Sequence, residues 1–277
     1  MRNFRLPSGQ AIPVLGLGTW RMGEDQRQRQ SEIDALRHGL DLDISLIDTA
    51  EMYGEGCAEE VIAEAIADRR EEVFLVSKVY PHNASRRGAI AACERSLKRL
   101  KTDYLDLYLL HWRGSVPLAE TLEAFQALQQ SGKIRSYGVS NFDVEDMEEA
   151  RELQGGTAIA TNQVLYNLMR RGIEWDLLPW CRQRSMPIMA YSPLEQGRLL
   201  RNRTLKTIAQ QRSVTEAQIA IAWLLHQENV IVIPKSSHIT HVDQNRAALD
   251  LKLSDEELAA LDVEFPHPTK PVPLEML

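Results

Sequence analysis

Short apolar runs rich in Val, Ile and Leu recur eight times along the 277 residues, and longer helical patterns separate them. These runs alternate little between apolar and polar residues, which is typical of strands buried on both faces of a parallel sheet. Eight such strands predict an α/β fold of the closed (β/α)8 type, the TIM barrel; an open doubly wound sheet is the alternative. The predicted strands are VLGLGT from Val14, SLIDTA from Ser45, VFLVSKV from Val73, YLDLYLLH from Tyr104, SYGVSN from Ser136, IATNQV from Ile159, PIMAYSP from Pro187 and VIVIPKS from Val230.

Helical spacing between these runs predicts helices over residues 85–100, 118–130, 144–153 and 215–227, and the TEAQ run at Thr215 matches a capping box. The first of these segments is rich in Arg and Lys. Its charges alternate with Ala, Ile and Leu, which favours the solvated face of an amphipathic helix over a nucleic-acid site.

Two segments lie outside this alternation of strands and helices. FRLPSGQAIP near the start predicts a β-hairpin that turns at Ser8 and Gly9 and covers the bottom of the barrel. After residue 265, four prolines deny the chain regular structure, so we expect a C-terminal tail over the surface or the mouth of the barrel. With no linker or long repeat in between, a single domain over residues 1–277 is expected.

Composition excludes several classes of protein. A formal charge of −7 leaves no basic field to hold nucleic acid or an anionic membrane. Cys57, Cys93 and Cys181 are far apart, which argues against a disulfide framework or a zinc site and fits a reducing cytoplasm. No apolar run is long enough to cross a bilayer. We expect a cytoplasmic protein without metal, membrane or nucleic-acid partners, and a monomer because no apolar seam marks an interface.

Four ionisable side chains stand at or just after the ends of three predicted strands, where barrel enzymes place their chemistry. They are Asp48, Tyr53, Lys78 and His111. A tyrosine with the ordinary pKa near 10 is a poor acid at pH 7. An ammonium from Lys78, kept charged by Asp48, should lower that pKa, and His111 could hold a substrate oxygen. Such a group can protonate a carbonyl oxygen while a hydride is added to the carbon.

The hydride requires a cofactor, since no side chain can supply it. GLGTWR lacks the third glycine of the dinucleotide fingerprint, because Arg21 stands there. Later strand ends suit a nicotinamide cofactor better: Ser140, Asn141 and Gln163 match a carboxamide, and Tyr191 offers a face for stacking. The IPKSS run, with Lys235, Ser236 and Ser237, stands at the mouth of strand eight, where barrels commonly hold phosphates.

Over essentially its whole length, the sequence resembles the aldo-keto reductases, especially the short bacterial members. The motifs that carry the resemblance are DTAEMYG, VSKV, LLHW, GVSNF, NQVLYN, AYSPL and IPKS, in this order. The resemblance implies a barrel that binds NADPH across its mouth, with Tyr53 as proton donor, Lys78 and Asp48 as its tuning pair and His111 as substrate orienter. The expected cofactor-binding set is Gly18, Thr19, Trp20, Asp48, Ser140, Asn141, Gln163, Tyr191, Ser192, Leu194, Ile233, Lys235, Ser236, Ser237, His241, Gln244 and Asn245.

The segment after IPKS departs from the family pattern. Members that prefer NADPH usually carry an arginine six places past the lysine of IPKS and then a Glu-Asn pair, and here these positions are His241, Gln244 and Asn245. Arginine offers a permanently charged fork for the 2′-phosphate, whereas histidine is largely neutral at pH 7. NADPH is still favoured through Lys235 and Ser236, with weaker discrimination against NADH.

The expected reaction is reduction of an aldehyde or ketone to an alcohol. Trp20 and Trp112 should wall an apolar substrate pocket next to Tyr53 and His111, and small 2-oxoaldehydes such as methylglyoxal are the favoured substrates. Arg113 has two interpretations, attraction of an acidic carbonyl or a plain solvent-facing charge.

Other classes of function are open to a barrel of this kind. One alternative is a cofactor-binding subunit or interaction protein with little catalysis, although all four ionisable residues are present. Another is an isomerase or aldolase, but a lysine held by Asp48 stays protonated and is a poor amine nucleophile. Oxidation of an alcohol would use the same residues in reverse.

Overall fold

The computed structural model describes residues 2–277, in which an eight-stranded parallel sheet closes into a barrel. Neighbouring strands in this sheet follow one another in chain order. Parallel bridges from Leu15 to Val232 and from Gly18 to Lys235 join the first strand to the last. This closure confirms the barrel and excludes the open sheet. The strands are β1 Asn3–Arg5, β2 Ala11–Pro13, β3 Gly16–Gly18, β4 Leu46–Asp48, β5 Phe74–Val79, β6 Leu105–Leu110, β7 Ile134–Ser140, β8 Asn162–Leu165, β9 Ile188–Tyr191 and β10 Val230–Val232.

Helices cover the outside of the barrel and bury their apolar faces against the strands. They are α1 Arg29–Asp41, α2 Cys57–Ala65, α3 Arg86–Leu100, α4 Leu118–Gln130, α5 Val144–Glu152, α6 Leu177–Gln183, α7 Arg203–Arg212, α8 Glu216–His226, α9 Ile239–Ala247 and α10 Asp255–Glu264. The four predicted helices correspond to α3, α4, α5 and α8 within one residue at each end. Thr215 and Gln218 form the predicted capping box, in which each side chain accepts from the other residue's backbone N–H.

The basic segment predicted as an amphipathic helix is α3, which buries Ala89, Ala92, Cys93, Leu97 and Leu100. All three cysteines are free. Burial raises the pKa of Cys93, and likewise that of Cys181 in α6, to about 12. Both thiols are therefore neutral packing groups at ordinary pH.

The N-terminal hairpin closes the bottom of the barrel, as predicted. Strands β1 and β2 pair in antiparallel register around the turn at Ser8 and Gly9. Leu6 and Ile12 pack into the apolar interior of the barrel together with Leu46 and Phe74, the first residues of β4 and β5. The hairpin therefore covers the end of the barrel that lies opposite the carboxyl ends of the strands.

The tail after Glu264 has no helix or strand, in agreement with its four prolines. It reaches the mouth of the barrel, where Met276 and Leu277 line a cavity. No helix among residues 2–277 has the length and apolar character needed to cross a membrane.

Ile12 tests the role of the hairpin. Its side chain is fully buried in the barrel floor, so Ile12→Ala should lower the free energy of unfolding by about 2–5 kcal/mol through lost burial and a residual cavity. Urea denaturation measures this loss. Val263→Ala is the control, because Val263 is 85% exposed and its truncation should change stability by no more than about 0.5 kcal/mol. Equal effects of the two substitutions would contradict a packed floor.

Candidate active site

A cavity of about 560 Å³ lies at the carboxyl ends of the barrel strands. It brings together predicted residues from seven of the eight barrel strands and from the loops that follow them. The predicted residues in its lining are Gly18, Thr19, Trp20, Asp48, Tyr53, His111, Trp112, Ser140, Asn141, Gln163, Tyr191, Ser192, Leu194, Ile233 and Lys235.

Lys78 lies beneath this cavity, fully buried in β5. Its Nζ donates to Asp48 Oδ2 and to the carbonyl oxygen of Thr49, both at 2.8 Å, and lies 3.3 Å from the hydroxyl of Tyr53. The second carboxylate oxygen of Asp48 accepts from Gln163 Nε2 at 2.8 Å. The aspartate, lysine and tyrosine that the sequence grouped by function are therefore in direct contact.

The turn that carries Tyr53 explains why glycines follow it in the sequence. Gly54, Glu55 and Gly56 all have positive φ, at 57°, 55° and 96°. A Cβ at Gly56 would lie 2.5 Å from Nε of Arg99. This tight left-handed turn lets the chain leave β4, place the Tyr53 hydroxyl over Lys78 and enter α2 at Cys57.

The pKa of Tyr53 lies well above its ordinary value, because burial disfavours the phenolate and the negative charge of Asp48 adds to that effect. The expected net lowering of this pKa is therefore wrong for this structure, because the loss of hydration and the nearby carboxylate outweigh the ammonium of Lys78. Burial also lowers the pKa of Lys78, and the charge of Asp48 opposes that shift. The phenol of Tyr53 is protonated at neutral pH and retains its proton for transfer.

His111 follows β6 and packs edge-on against Tyr53, with ring centroids 5.8 Å apart. Burial and the charge of Lys78 lower its pKa to about 2. The imidazole is therefore neutral throughout the physiological range, with one N–H to donate and one nitrogen to accept.

Polar side chains beside this cluster are linked to one another by hydrogen bonds. Tyr191 Oη donates to Asn141 Oδ1 at 3.0 Å, and Asn141 Nδ2 donates to the carbonyl oxygen of His111 at 3.1 Å. The hydroxyl of Ser140 donates to the backbone oxygen of Gln163 at 2.7 Å. These bonds fix the side chains that the sequence proposed for a carboxamide.

The remaining predicted cofactor residues follow Lys235 along the chain and lie outside the cavity lining. Ser236, Ser237 and Asn245 are buried, Gln244 is half-buried and His241 is exposed. Lys235 Nζ donates to Ser237 Oγ at 3.3 Å, and His241 stands in the first turn of α9. The cationic and hydroxyl groups thus gather near the start of a helix, where the backbone dipole favours an anion.

Several lining residues were not expected from the sequence. The guanidinium carbon of Arg21 lies 4.3 Å from the centroid of the Trp20 ring. Its place next to Trp20 in the sequence was the one feature that could have predicted its presence in the lining. The tail residues arrive from far along the chain, without a motif. The unexpected set is Arg21, Met52, Pro193, Gln196, Gly197, Pro234, Met276 and Leu277.

Arg113 is held away from the cavity lining. Its guanidinium donates to Asp146 at 2.8 Å and to Glu149 at 2.7 Å on α5. Its charge is therefore engaged by the barrel's outer helix, and the attraction of an acidic carbonyl is not supported.

Fold and cavity together define the class, a (β/α)8 barrel enzyme with its site at the carboxyl ends of the strands. The sequence matches the aldo/keto reductase family model over residues 14–263. The chain belongs to the aldo/keto reductase family of oxidoreductases.

Similar proteins cover nearly the whole chain. Methylglyoxal reductase YeaE of Escherichia coli is 54% identical over 272 residues, 96% of each chain. A glyoxal reductase of Bacillus subtilis is 35% identical over 260 residues, 93% of this chain and 91% of its own. The crystal structure of an aldo/keto reductase from Klebsiella pneumoniae in complex with NADP and acetate has a TM-score of 0.97 and 52% identity, and the match covers 99% of both chains.

The depressed pKa of His111 predicts a pH dependence of stability. The folded chain resists protonation of this imidazole down to about pH 2, whereas the unfolded chain protonates it near pH 6.5. The free energy of unfolding should therefore decrease as the pH is lowered. This residue should account for a loss of about 1.4 kcal/mol between pH 7.5 and pH 5.5. Urea denaturation at the two pH values should show that His111→Gln loses less stability than the wild type by this amount. An identical loss in both proteins would contradict a neutral, buried imidazole.

Proposed function

We propose that this chain reduces small aldehydes and ketones to alcohols with NADPH, and that Tyr53 gives the proton. The contact of Lys78 with both Asp48 and Tyr53 at the base of the cavity carries this proposal. NADPH supplies the hydride when it is bound. The chain's own residues bind the two reactants, hold the carbonyl oxygen and provide the proton.

The cavity offers groups that fit such a cofactor. Asn141 and Gln163 present amides, Ser140 a hydroxyl and Tyr191 an aromatic ring in one lining, which suits a carboxamide on a planar ring. Lys235 lines the same cavity and provides a cation for phosphate. Relatives support the same cofactor, since solved structures of aldo/keto reductases from Klebsiella pneumoniae contain NADP or NADPH.

The proton transfer follows from the charges around Tyr53. As the carbonyl carbon accepts hydride, its oxygen becomes negative and draws the proton from the Tyr53 hydroxyl. The Lys78 ammonium, 3.3 Å from that hydroxyl, stabilises the phenolate left behind, and Asp48 keeps the ammonium charged and aimed. His111, being neutral, can donate a hydrogen bond to the same substrate oxygen. Preorganised donors of this kind act where charge develops.

The proposed substrates are small uncharged carbonyl compounds, with 2-oxoaldehydes of the methylglyoxal type first among them. Trp112 packs against His111 with ring centroids 4.9 Å apart, and Trp20 and Met52 add apolar lining. Arg113 is engaged by α5, so it provides no free cation for a carboxylate. Two relatives are named methylglyoxal reductase and glyoxal reductase, in agreement with this class.

Tyr53→Phe tests the proton donor. Turnover of methylglyoxal, followed as NADPH oxidation, should fall by about 10²–10⁴-fold, because general acid catalysis is lost. The dissociation constant for NADPH should stay close to that of the wild type, since the ring and its packing remain. Undiminished turnover in the variant would contradict the role of Tyr53. Tight NADPH binding without turnover of methylglyoxal or any of a panel of aldehydes, in the wild type, would indicate a binding function instead.

His241→Arg tests cofactor selectivity. A permanently charged fork near the start of α9 should raise the ratio of kcat/KM with NADPH to that with NADH by about tenfold, the scale of one charged hydrogen bond. His226→Arg is the matched control, because His226 precedes β10 at the closed end of the barrel and should leave the ratio unchanged. A wild-type ratio above about a thousand at pH 7.5 (roughly 4 kcal/mol), unaffected by His241→Ala, would contradict weakened discrimination.

A further inference from the structure

Two separate segments line the cavity beside Tyr191, and one arginine contacts both. The first segment is the loop of residues 192–197 after β9, here called the β9 loop, and the second is the C-terminal tail. Arg170, in the segment between β8 and α6, donates to Glu195 in the loop and to Glu275 in the tail. Arg170 is therefore placed to make each segment depend on the other.

The β9 loop has a backbone conformation that needs support. Ser192, Glu195 and Gln196 all have φ near +50°, in the left-handed region that non-glycine residues rarely adopt. Such conformations persist where surrounding contacts hold them. Asn167 provides one of these contacts, since its Nδ2 donates to the backbone oxygen of Ser192 at 2.9 Å.

Glu195 is the internal anchor of this loop, with a carboxylate that is fully buried. Its Oε1 accepts from Arg170 Nε and Nη2, at 3.0 and 2.9 Å, and from Arg198 at 3.0 Å. Its Oε2 accepts from Asn167 at 2.8 Å. A buried carboxylate requires such partners, so Arg170 is part of what keeps the loop in place.

The tail is held at two places by neighbouring arginines. Arg171 donates to the backbone oxygen of Phe265 and to Asp262, which fixes the start of the tail at α10. Arg170 holds the far part through Glu275, directly before the two residues that enter the cavity lining. The contact of Arg170 with Glu275 therefore holds the tail next to the point where it meets the cavity.

We propose that Arg170 is a positioning residue that couples retention of the cofactor by the β9 loop to formation of the tail wall of the substrate pocket. This inference rests on the proposed function, because Ser192 and Leu194 of the loop are among the proposed NADPH contacts. A guanidinium has donors enough for both carboxylates in one rigid fork. When the β9 loop moves, Glu195 draws Arg170 away from Glu275. Conversely, when the tail is released, Arg170 loses its contact with Glu275 and holds Glu195 of the loop less firmly. Coupling of this kind acts in both directions.

Glu275→Gln tests the coupling at the tail side, where the side chain is partly exposed and folding should be unaffected. The NADPH complex is mixed with excess NADP+ in a stopped-flow instrument, and the decay of NADPH fluorescence gives the dissociation rate. We expect this rate to rise about two- to fivefold, the scale of one partly exposed ion pair. The KM for methylglyoxal should rise as well, because the tail lines the cavity. The kcat should change less, because the tail takes no part in the proton transfer.

Glu256→Gln serves as the matched control. It makes the same change of charge on the exposed face of α10, where Glu256 has no ion pair within residues 2–277, and it should alter neither quantity. Arg170→Gln completes a double-mutant cycle. In that background, Glu275→Gln should have no further effect on the dissociation rate.

An unchanged NADPH dissociation rate in Glu275→Gln, with or without a change in KM, would overturn the coupling. The tail would then line the substrate pocket without affecting retention of the cofactor. A full effect of Glu275→Gln in the Arg170→Gln background would also overturn it, because the link would then bypass Arg170. Absence of NADPH binding by the wild type, visible as no fluorescence change on mixing, would overturn the proposed function and this inference together.

Discussion

The buried ion pair between Lys78 and Asp48 is the interaction on which the site depends. Removing both charges from water costs several kcal/mol per ion, and only good geometry with further hydrogen bonds offsets that cost. The structure provides both, since Lys78 also donates to the backbone oxygen of Thr49 and Asp48 also accepts from Gln163. The pair thereby joins the ends of β4, β5 and β8. Loss of either partner would leave an uncompensated charge inside the barrel, which is strongly destabilising. The ion pair therefore fixes the positions of the side chains around Tyr53.

Much of this architecture is visible in the sequence, because the features that specify it are local. The runs of Val, Ile and Leu specify buried parallel strands, and strand ends in a barrel converge on one mouth. Asp48, Lys78 and His111 can therefore be grouped from the sequence alone. The Thr215 capping box and the Ser8–Gly9 turn are likewise properties of a few adjacent residues.

The features that the sequence did not reveal depend on distant contacts or on solvation. The direction of the Tyr53 pKa shift depends on how completely the phenol is buried beside Asp48, and residue order does not report burial. One contact that holds the end of the tail joins Arg170 to Glu275, which are 105 residues apart. The engagement of Arg113 by α5 similarly required knowledge of which helix lies beside that loop.

Cys93 and Cys181 show a chemical consequence of burial. Only a thiolate attacks electrophiles at an appreciable rate, and both thiols have a pKa near 12 inside the outer helices. An enzyme that consumes 2-oxoaldehydes, as proposed, works in continuous contact with electrophiles that modify thiols and amines. Cys93 and Cys181 stay in the neutral thiol form, which does not react with such electrophiles at an appreciable rate. The packing that stabilises the barrel thus also keeps these two side chains chemically inert.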